Sequence, residues 1–183
     1  MGITKFIFVL NGTNGSGKDT FYEMIKGMEE EFGITTSHIS SIDSIKKMAK
    51  NYGWNGKKDE KGRELLFQLK SAWDNYNSFT QQDIFAKTKR WINNCGLKPA
   101  FFFVDIREPE KIQVYIDSIE KYFGDMAFIG TILIDSSRYG VASNVADQGV
   151  KNYEYSITIN NDGSMDDLRE KAHHFIDTML SSR

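Results

Sequence analysis

The chain has 183 residues, with 23 Lys+Arg against 25 Asp+Glu for a net charge of −2. That near-balance excludes a protein whose main task is to coat nucleic acid or an anionic membrane, because both tasks rely on excess cationic charge. Hydrophobic residues are 40% and aromatics 13% of the chain, which is enough apolar mass to pack one domain over 1–183 and excludes bulk disorder. The longest apolar runs, 6–10 and 99–104, fall far short of the ~20 residues that span a bilayer. Residues 1–5 lead into the first of them without the layout of a signal peptide. The single Cys95 has no partner for an internal disulfide, so a reducing, cytoplasmic setting is the expectation.

In chain order, 5–10 reads as a short apolar strand of the kind buried on both faces of a parallel sheet. A glycine-rich turn follows, then one helix with Phe21, Met24, Ile25, Met28 and Phe32 at helical spacing, closed by Gly33. A second strand over 34–40 leads into an amphipathic helix through Ile42, Ile45, Met48, Ala49 and Tyr52. The polar stretch 52–62 reads as an exposed loop. Two further helices carry Leu65 to Tyr76 and Ile84 to Cys95, the second opened by the capping-box spacing Thr80…Asp83. Strand 100–104, a helix starting at Pro109, strand 127–134 and a polar loop over 135–153 come next. Strand 155–159 and a final helix, capped by Ser164 and Asp167, end the chain. Alternating strands and helices imply an α/β fold, a parallel sheet covered on both faces.

The chemistry is concentrated in Gly12-Thr13-Asn14-Gly15-Ser16-Gly17-Lys18, which satisfies the G-x-x-x-x-G-K core of a P-loop. Glycines let backbone N–H groups turn inward around a phosphate with no Cβ in the way. The helix behind them offers its positive end, and Lys18 offers a cation to the β- and γ-phosphates. The motif lies between a buried strand and an amphipathic helix, as the reading requires. The generic motif continues with Ser or Thr as a Mg²⁺ ligand, whereas here Asp19 precedes Thr20. Two readings of Asp19 stay open: a direct or water-mediated Mg²⁺ ligand, or an acid favoured by the helix dipole alone.

Asp105 ends the apolar run 101–104, at the strand end that forms the ligand crevice of an open α/β sheet, where an acid can hold Mg²⁺ or its waters. Arg107, two residues on, is placed to clamp a phosphate bidentately. The 135–153 loop leaves the fourth strand on the same edge and reads as a lid carrying Arg138 and Lys151. Adjacent His173 and His174 face different ways on a helix and make no metal site; His38 reads as structural.

With those residues the chain resembles the P-loop nucleoside monophosphate kinases. The closer likeness is to the G-K-D variant of phage deoxynucleotide monophosphate kinases and animal-type phosphomevalonate kinases. Gly17-Lys18-Asp19-Thr20 matches the phage form in full. Ser44-Ile45-Lys46, Asp105-Ile106-Arg107 and the turn Asn160-Asn161-Asp162-Gly163 fall where those families carry comparable residues. The resemblance implies a five-stranded parallel core in the order 2-3-1-4-5, a helical acceptor-binding insertion at about 42–96 and a lid. It implies transfer of the ATP γ-phosphate to a nucleoside or deoxynucleoside monophosphate, with Mg²⁺ held at Asp19 and Asp105. Lys18, Arg107 and Arg138 are then the catalytic cations; residues 12–20 and Asn160 bind ATP; Ser41, Asp43, Lys46, Arg63 and Arg107 face the acceptor. The expected partners are small nucleotides, with no nucleic acid polymer and no membrane, in a monomer or homodimer. Another phosphorylated acceptor, such as phosphomevalonate, and a non-catalytic nucleotide-binding regulator are the alternatives.

Overall fold

The computed structural model describes residues 4–139 and 149–182. Five strands, β1 (Lys5–Asn11), β2 (Thr35–Ser40), β3 (Ala100–Asp105), β4 (Phe128–Asp135) and β5 (Ile157–Asn160), form one sheet in the order β2-β3-β1-β4-β5. Every pairing is parallel. Seven α-helices are described: α1 (Lys18–Gly27), α2 (Glu29–Phe32), α3 (Asp43–Asn51), α4 (Glu60–Asn77), α5 (Phe79–Asn94), α6 (Pro109–Phe123) and α7 (Met165–Ser181). Among the described residues no helix is long and apolar enough to cross a membrane.

The two-residue period of a strand sorts the central side chains onto two faces. Phe6, Phe8 and Leu10 of β1 join Phe101 and Phe103 of β3 on the face covered by α1 and α7. Ile7, Val9, Phe102 and Val104 point the other way, under α5 and α6. In-register pairing places Phe6 opposite Phe101 and Phe8 opposite Phe103, and the first pair stacks with centroids 4.6 Å apart. Phe175 of α7 meets Phe8 edge-on at 5.1 Å, locking the last helix to the first strand. Thus β1 and β3 are buried on both sides. Their carboxyl ends, where the strand order reverses, form the crevice edge.

Three local expectations are corrected. The helix expected to run unbroken to Phe32 stops at Gly27, a poor helix former, and resumes as α2 after Met28. Residues 60–62, read as loop because of Gly62, are the first turn of α4, capped by Asp59 accepting from the Gly62 N–H at 2.8 Å. Gly62 is there for space: a Cβ would lie 2.1 Å from the Lys57 carbonyl and 2.9 Å from Trp54 Nε1. The Thr80…Asp83 capping box does not form. Helix α5 starts at Phe79 after Ser78 in the left-handed region, and Thr80 instead donates its N–H and hydroxyl to the Asp74 carboxylate, each at 2.9 Å. The box at Ser164 and Asp167 does form.

Helices α4 and α5 are bound to α6 by polar contacts. Lys70 pairs with Glu108, and Lys111 with Asp74. Inside the α5–α6 contact the Tyr115 hydroxyl lies 2.8 Å from Thr88 Oγ1, which also donates to the Ile84 carbonyl at 2.8 Å. Both residues are buried. Thr88→Val leaves the Tyr115 hydroxyl orphaned and should cost about 1–3 kcal/mol, whereas adding Tyr115→Phe removes both polar atoms. The double variant should therefore be more stable in urea unfolding than Thr88→Val alone. A double variant less stable than Thr88→Val would show that the pair is not a closed unit.

Candidate active site

Strand β1 ends on Asn11, fully buried, and the chain turns at once into the P-loop. Gly12, Gly15 and Gly17 have φ of 153°, 82° and 98°, a region that side-chain-bearing residues rarely enter. At Gly17 a Cβ would also meet Asn161 Nδ2 at 2.3 Å. The loop closes through Ser16 N–H donating to the Thr13 carbonyl at 3.1 Å. Helix α1 then starts at Lys18 with left-handed Gly17 as its cap residue, and no side chain caps it. Its first-turn N–H groups, carrying the positive end of the helix dipole, therefore face the crevice without a side-chain acceptor. Lys18 is buried and folds back to donate from Nζ to the Gly12 carbonyl at 3.0 Å. Ser16 Oγ is buried with no hydrogen-bond partner, beside Gly12. A buried hydroxyl, a buried ammonium and a row of uncapped amides gather around one loop as a cradle whose chemistry suits an anion. Asn14, Gly15 and Asp19 are exposed around it, and Thr13 is buried.

The acidic side of the crevice comes from the neighbouring strands. Asp105 ends β3 next to Ser40 of β2 in register. His38 Nε2 lies 3.0 Å from Asp105 Oδ1, off the line of a good hydrogen bond, and both atoms are shielded from solvent. Tyr22 of α1 covers the His38 ring at 4.7 Å between centroids. Burial pulls the His38 pKa down, but the Asp105 carboxylate, with the charges of Asp19 and Asp43, raises it above the ordinary value overall. Those four residues therefore share one electrostatic neighbourhood beside the P-loop. Among the described residues no group of three or more metal-ligating side chains stands ready to hold an ion alone.

The expected acceptor residues divide. Asp43 accepts from the Ser40 N–H at 2.7 Å and from Lys46 Nζ at 3.0 Å, so Asp43 and Lys46 form one unit at the end of β2. Ser41, buried, is tied to β3 by its N–H donating to the Asp105 carbonyl at 3.1 Å. Arg63 is exposed near the start of α4, and its side chain enters none of these contacts. Arg107 is half-buried in the loop from β3 to α6.

On the opposite flank the turn after β5 reaches the P-loop through Asn161, not through Asn160. Asn161 Nδ2 donates to the Ser16 carbonyl at 2.8 Å. Asn160 turns back on Asp162, 2.9 Å from Nδ2 to Oδ2. Asp162 is held down at a pKa of about 2 by the Asn160 side-chain amide and the Ser137 N–H, which donates to it at 2.6 Å. Arg138 reaches this turn with Nη2, donating to the Asn161 and Gly163 carbonyls at 2.8 and 2.7 Å. Lys151 pairs with Asp135 at 2.7 Å. Most of the expected lid, 140–148, lies outside the described residues.

Neither family models nor curated proteins match this sequence. Solved structures match by shape. The crystal structure of APE1195 is 11% identical with a TM-score of 0.55, covering 97% of this chain and 98% of its own. A Chloroflexus aurantiacus protein described as a kinase candidate is 10% identical with a TM-score of 0.50, covering 96% and 98%. The APS kinase of Mycobacterium tuberculosis, solved with AMPPNP and APS, is 13% identical with a TM-score of 0.48, covering 97% and 99%. Likeness at these identities is likeness of fold alone: a five-stranded parallel sheet with helices on both faces.

Proposed function

We propose that the chain is an ATP-dependent phosphotransferase that moves the γ-phosphoryl group of ATP onto a nucleoside or deoxynucleoside monophosphate. The observation that carries the proposal is the cradle at the start of α1: uncapped amides, buried Lys18 and the unpartnered Ser16 hydroxyl on one glycine-rich turn. A tight turn serving only the fold has no use for a buried lysine and a buried orphan hydroxyl, since each costs desolvation energy. A polyphosphate would supply an acceptor to the Ser16 hydroxyl and further acceptors to the Lys18 ammonium, which donates here to the Gly12 carbonyl.

Phosphoryl transfer asks the protein for positioning and charge neutralisation. Lys18 exchanges the Gly12 carbonyl for β- and γ-phosphate oxygens, and the α1 amides hold the same chain. Asp19 and Asp105 supply hard oxygen donors on two sides of the crevice, which suits Mg²⁺ because that ion keeps several waters and takes only one or two carboxylates alongside phosphate. Held by those two carboxylates, Mg²⁺ would supply charge neutralisation to the phosphates of the donor. Arg107 holds the acceptor's phosphate, with Ser41, Asp43 and Lys46 along the end of β2. Arg63 stands farther out on the insertion. Arg138 holds the Asn161 and Gly163 carbonyls through Nη2 and so stiffens the turn that braces Ser16; the transferring group would be met by the Nε and Nη1 side of the guanidinium.

The acceptor is tested by ADP release across a panel of nucleoside monophosphates, deoxynucleoside monophosphates and phosphomevalonate. A monophosphate should give the highest kcat/KM. Preference for phosphomevalonate would reassign the acceptor, and ATP binding without turnover on any acceptor would mark a regulator. With the preferred acceptor, Lys18→Met should cut kcat at least about 100-fold while the thermal transition of the folded protein is retained. Arg107→Ala should lower kcat/KM for the acceptor roughly 30- to 1000-fold and keep ATP binding, because a bidentate charge-assisted contact is lost. Arg107→Lys should restore only part of that, lacking the planar fork. An Arg107→Ala enzyme within about twofold of the parent would remove Arg107 from the acceptor site. Asp19→Asn should raise the Mg²⁺ concentration needed for half-maximal activity; overlapping Mg²⁺ curves would reduce Asp19 to a helix-start acid.

A further inference from the structure

Behind the crevice, one buried amide and one phenol join three loops. Asn11 is fully buried, and its side-chain amide makes three hydrogen bonds, using both N–H donors and the carbonyl oxygen. Its Oδ1 accepts from the Gly12 N–H at 2.8 Å; its Nδ2 donates to Tyr155 Oη at 2.7 Å and, at a longer 3.4 Å, to the Arg107 carbonyl. The Tyr155 hydroxyl passes its single proton to the Val150 carbonyl at 2.8 Å. Every donor and acceptor in this chain thus has one direction.

The phenol is itself held in place. Ser156, next in sequence, exchanges hydrogen bonds with Thr131 of β4: Ser156 N–H to Thr131 Oγ1 at 2.9 Å, and Thr131 N–H to Ser156 Oγ at 2.8 Å. The Tyr153 ring packs on Tyr155 at 5.1 Å, and its hydroxyl reaches Gln113 of α6 at 3.2 Å. Gly149 lies against Pro109, the first residue of α6, so closely that a Cβ would sit 3.3 Å from the proline ring. Burial keeps the Tyr155 phenol protonated, pushed up to about 12 against the opposing Asn11 hydrogen bond.

We propose that Tyr155, acting through Asn11, is a positioning residue that sets the Arg107 loop and the first amide of the P-loop in one rigid frame. The inference rests on the phosphotransferase reading for its consequence in catalysis, though not for the junction itself. Packing alone would be served by phenylalanine at 155 and by an apolar residue at 11. The polar pair is useful because it fixes the distance between the groups proposed to hold the donor's phosphates and the acceptor's.

The test is Tyr155→Phe, which keeps the ring and deletes the hydroxyl, with Tyr153→Phe as the neighbouring control. In the active enzyme Tyr155→Phe should lower kcat/KM for the acceptor about tenfold, and Tyr153→Phe should stay within about twofold. In an Arg107→Ala background Tyr155→Phe should cost less than about twofold more, because it acts through the same group. Full multiplication of the two losses, or no loss on Tyr155→Phe, would overturn the positioning role. Hydrogen exchange reads the junction independently of activity. In Tyr155→Phe the amides of Gly12 and of Ile106 to Glu108 should exchange faster while the β4 amides keep their protection. Exchange overlaying the parent at those amides would overturn the junction itself. A parent without any acceptor-dependent turnover would sink the phosphotransferase reading and leave the exchange experiment decisive for the junction.

Discussion

The constraint on which the rest depends is the turn between a strand buried on both faces and a helix whose first amides have no side-chain cap. Strand β1 ends inside the protein, so its last residue and the loop after it must satisfy their polar groups without bulk water. Asn11 does this for the Gly12 amide, the Thr13 carbonyl does it for Ser16, and Lys18 covers the Gly12 carbonyl. The Ser16 hydroxyl has no partner and the head of α1 has no side-chain cap, and those are the groups the proposed nucleotide would meet. Three glycines at positive φ make that arrangement possible.

The two faces of the sheet hold this turn in different ways. On one, stacked phenylalanines of β1 and β3 under α1 and α7 fix the direction of α1, and with it where the helix dipole points. On the other, the polar contacts of Lys70 with Glu108 and Lys111 with Asp74 bind α4 to the start of α6, directly after Arg107. Asp74 sits below its ordinary pKa: burial pushes it up, but Lys111 and the Thr80 donors outweigh that. A charged, desolvated seam of this kind tolerates loss of one partner poorly, which favours a defined position for α4 over a sliding one.

Much of this was legible in the residues. The apolar runs of β1 and β3 announce buried parallel strands because no polar face interrupts them, and the P-loop spacing carries its own mechanism. The capping box at Ser164 formed as its spacing required, whereas the same spacing at Thr80 did not, because Asp74, six residues earlier in another helix, competes for both Thr80 donors. Gly62 misled for a related reason: its place in a helix is dictated by Trp54 and Lys57 folding over it, a contact no local pattern reveals. The turn after β5 meets the P-loop through Asn161 and not through Asn160, a pairing across 145 residues of sequence that no local pattern reveals. His38 beside Asp105 and Tyr155 beside Asn11 have no local signature either, since both arise only once the sheet order is set.

The central claim is that the phosphates of a nucleotide sit on the head of α1. The most direct measurement is the backbone amide spectrum of the ¹⁵N-labelled protein titrated with ATP in the absence of acceptor. The account predicts saturable shifts that are largest at Gly12 and at Gly15 through Asp19, with smaller ones at Asn161. Shifts that saturate elsewhere while the amides of Gly15 through Asp19 stay unmoved would contradict it.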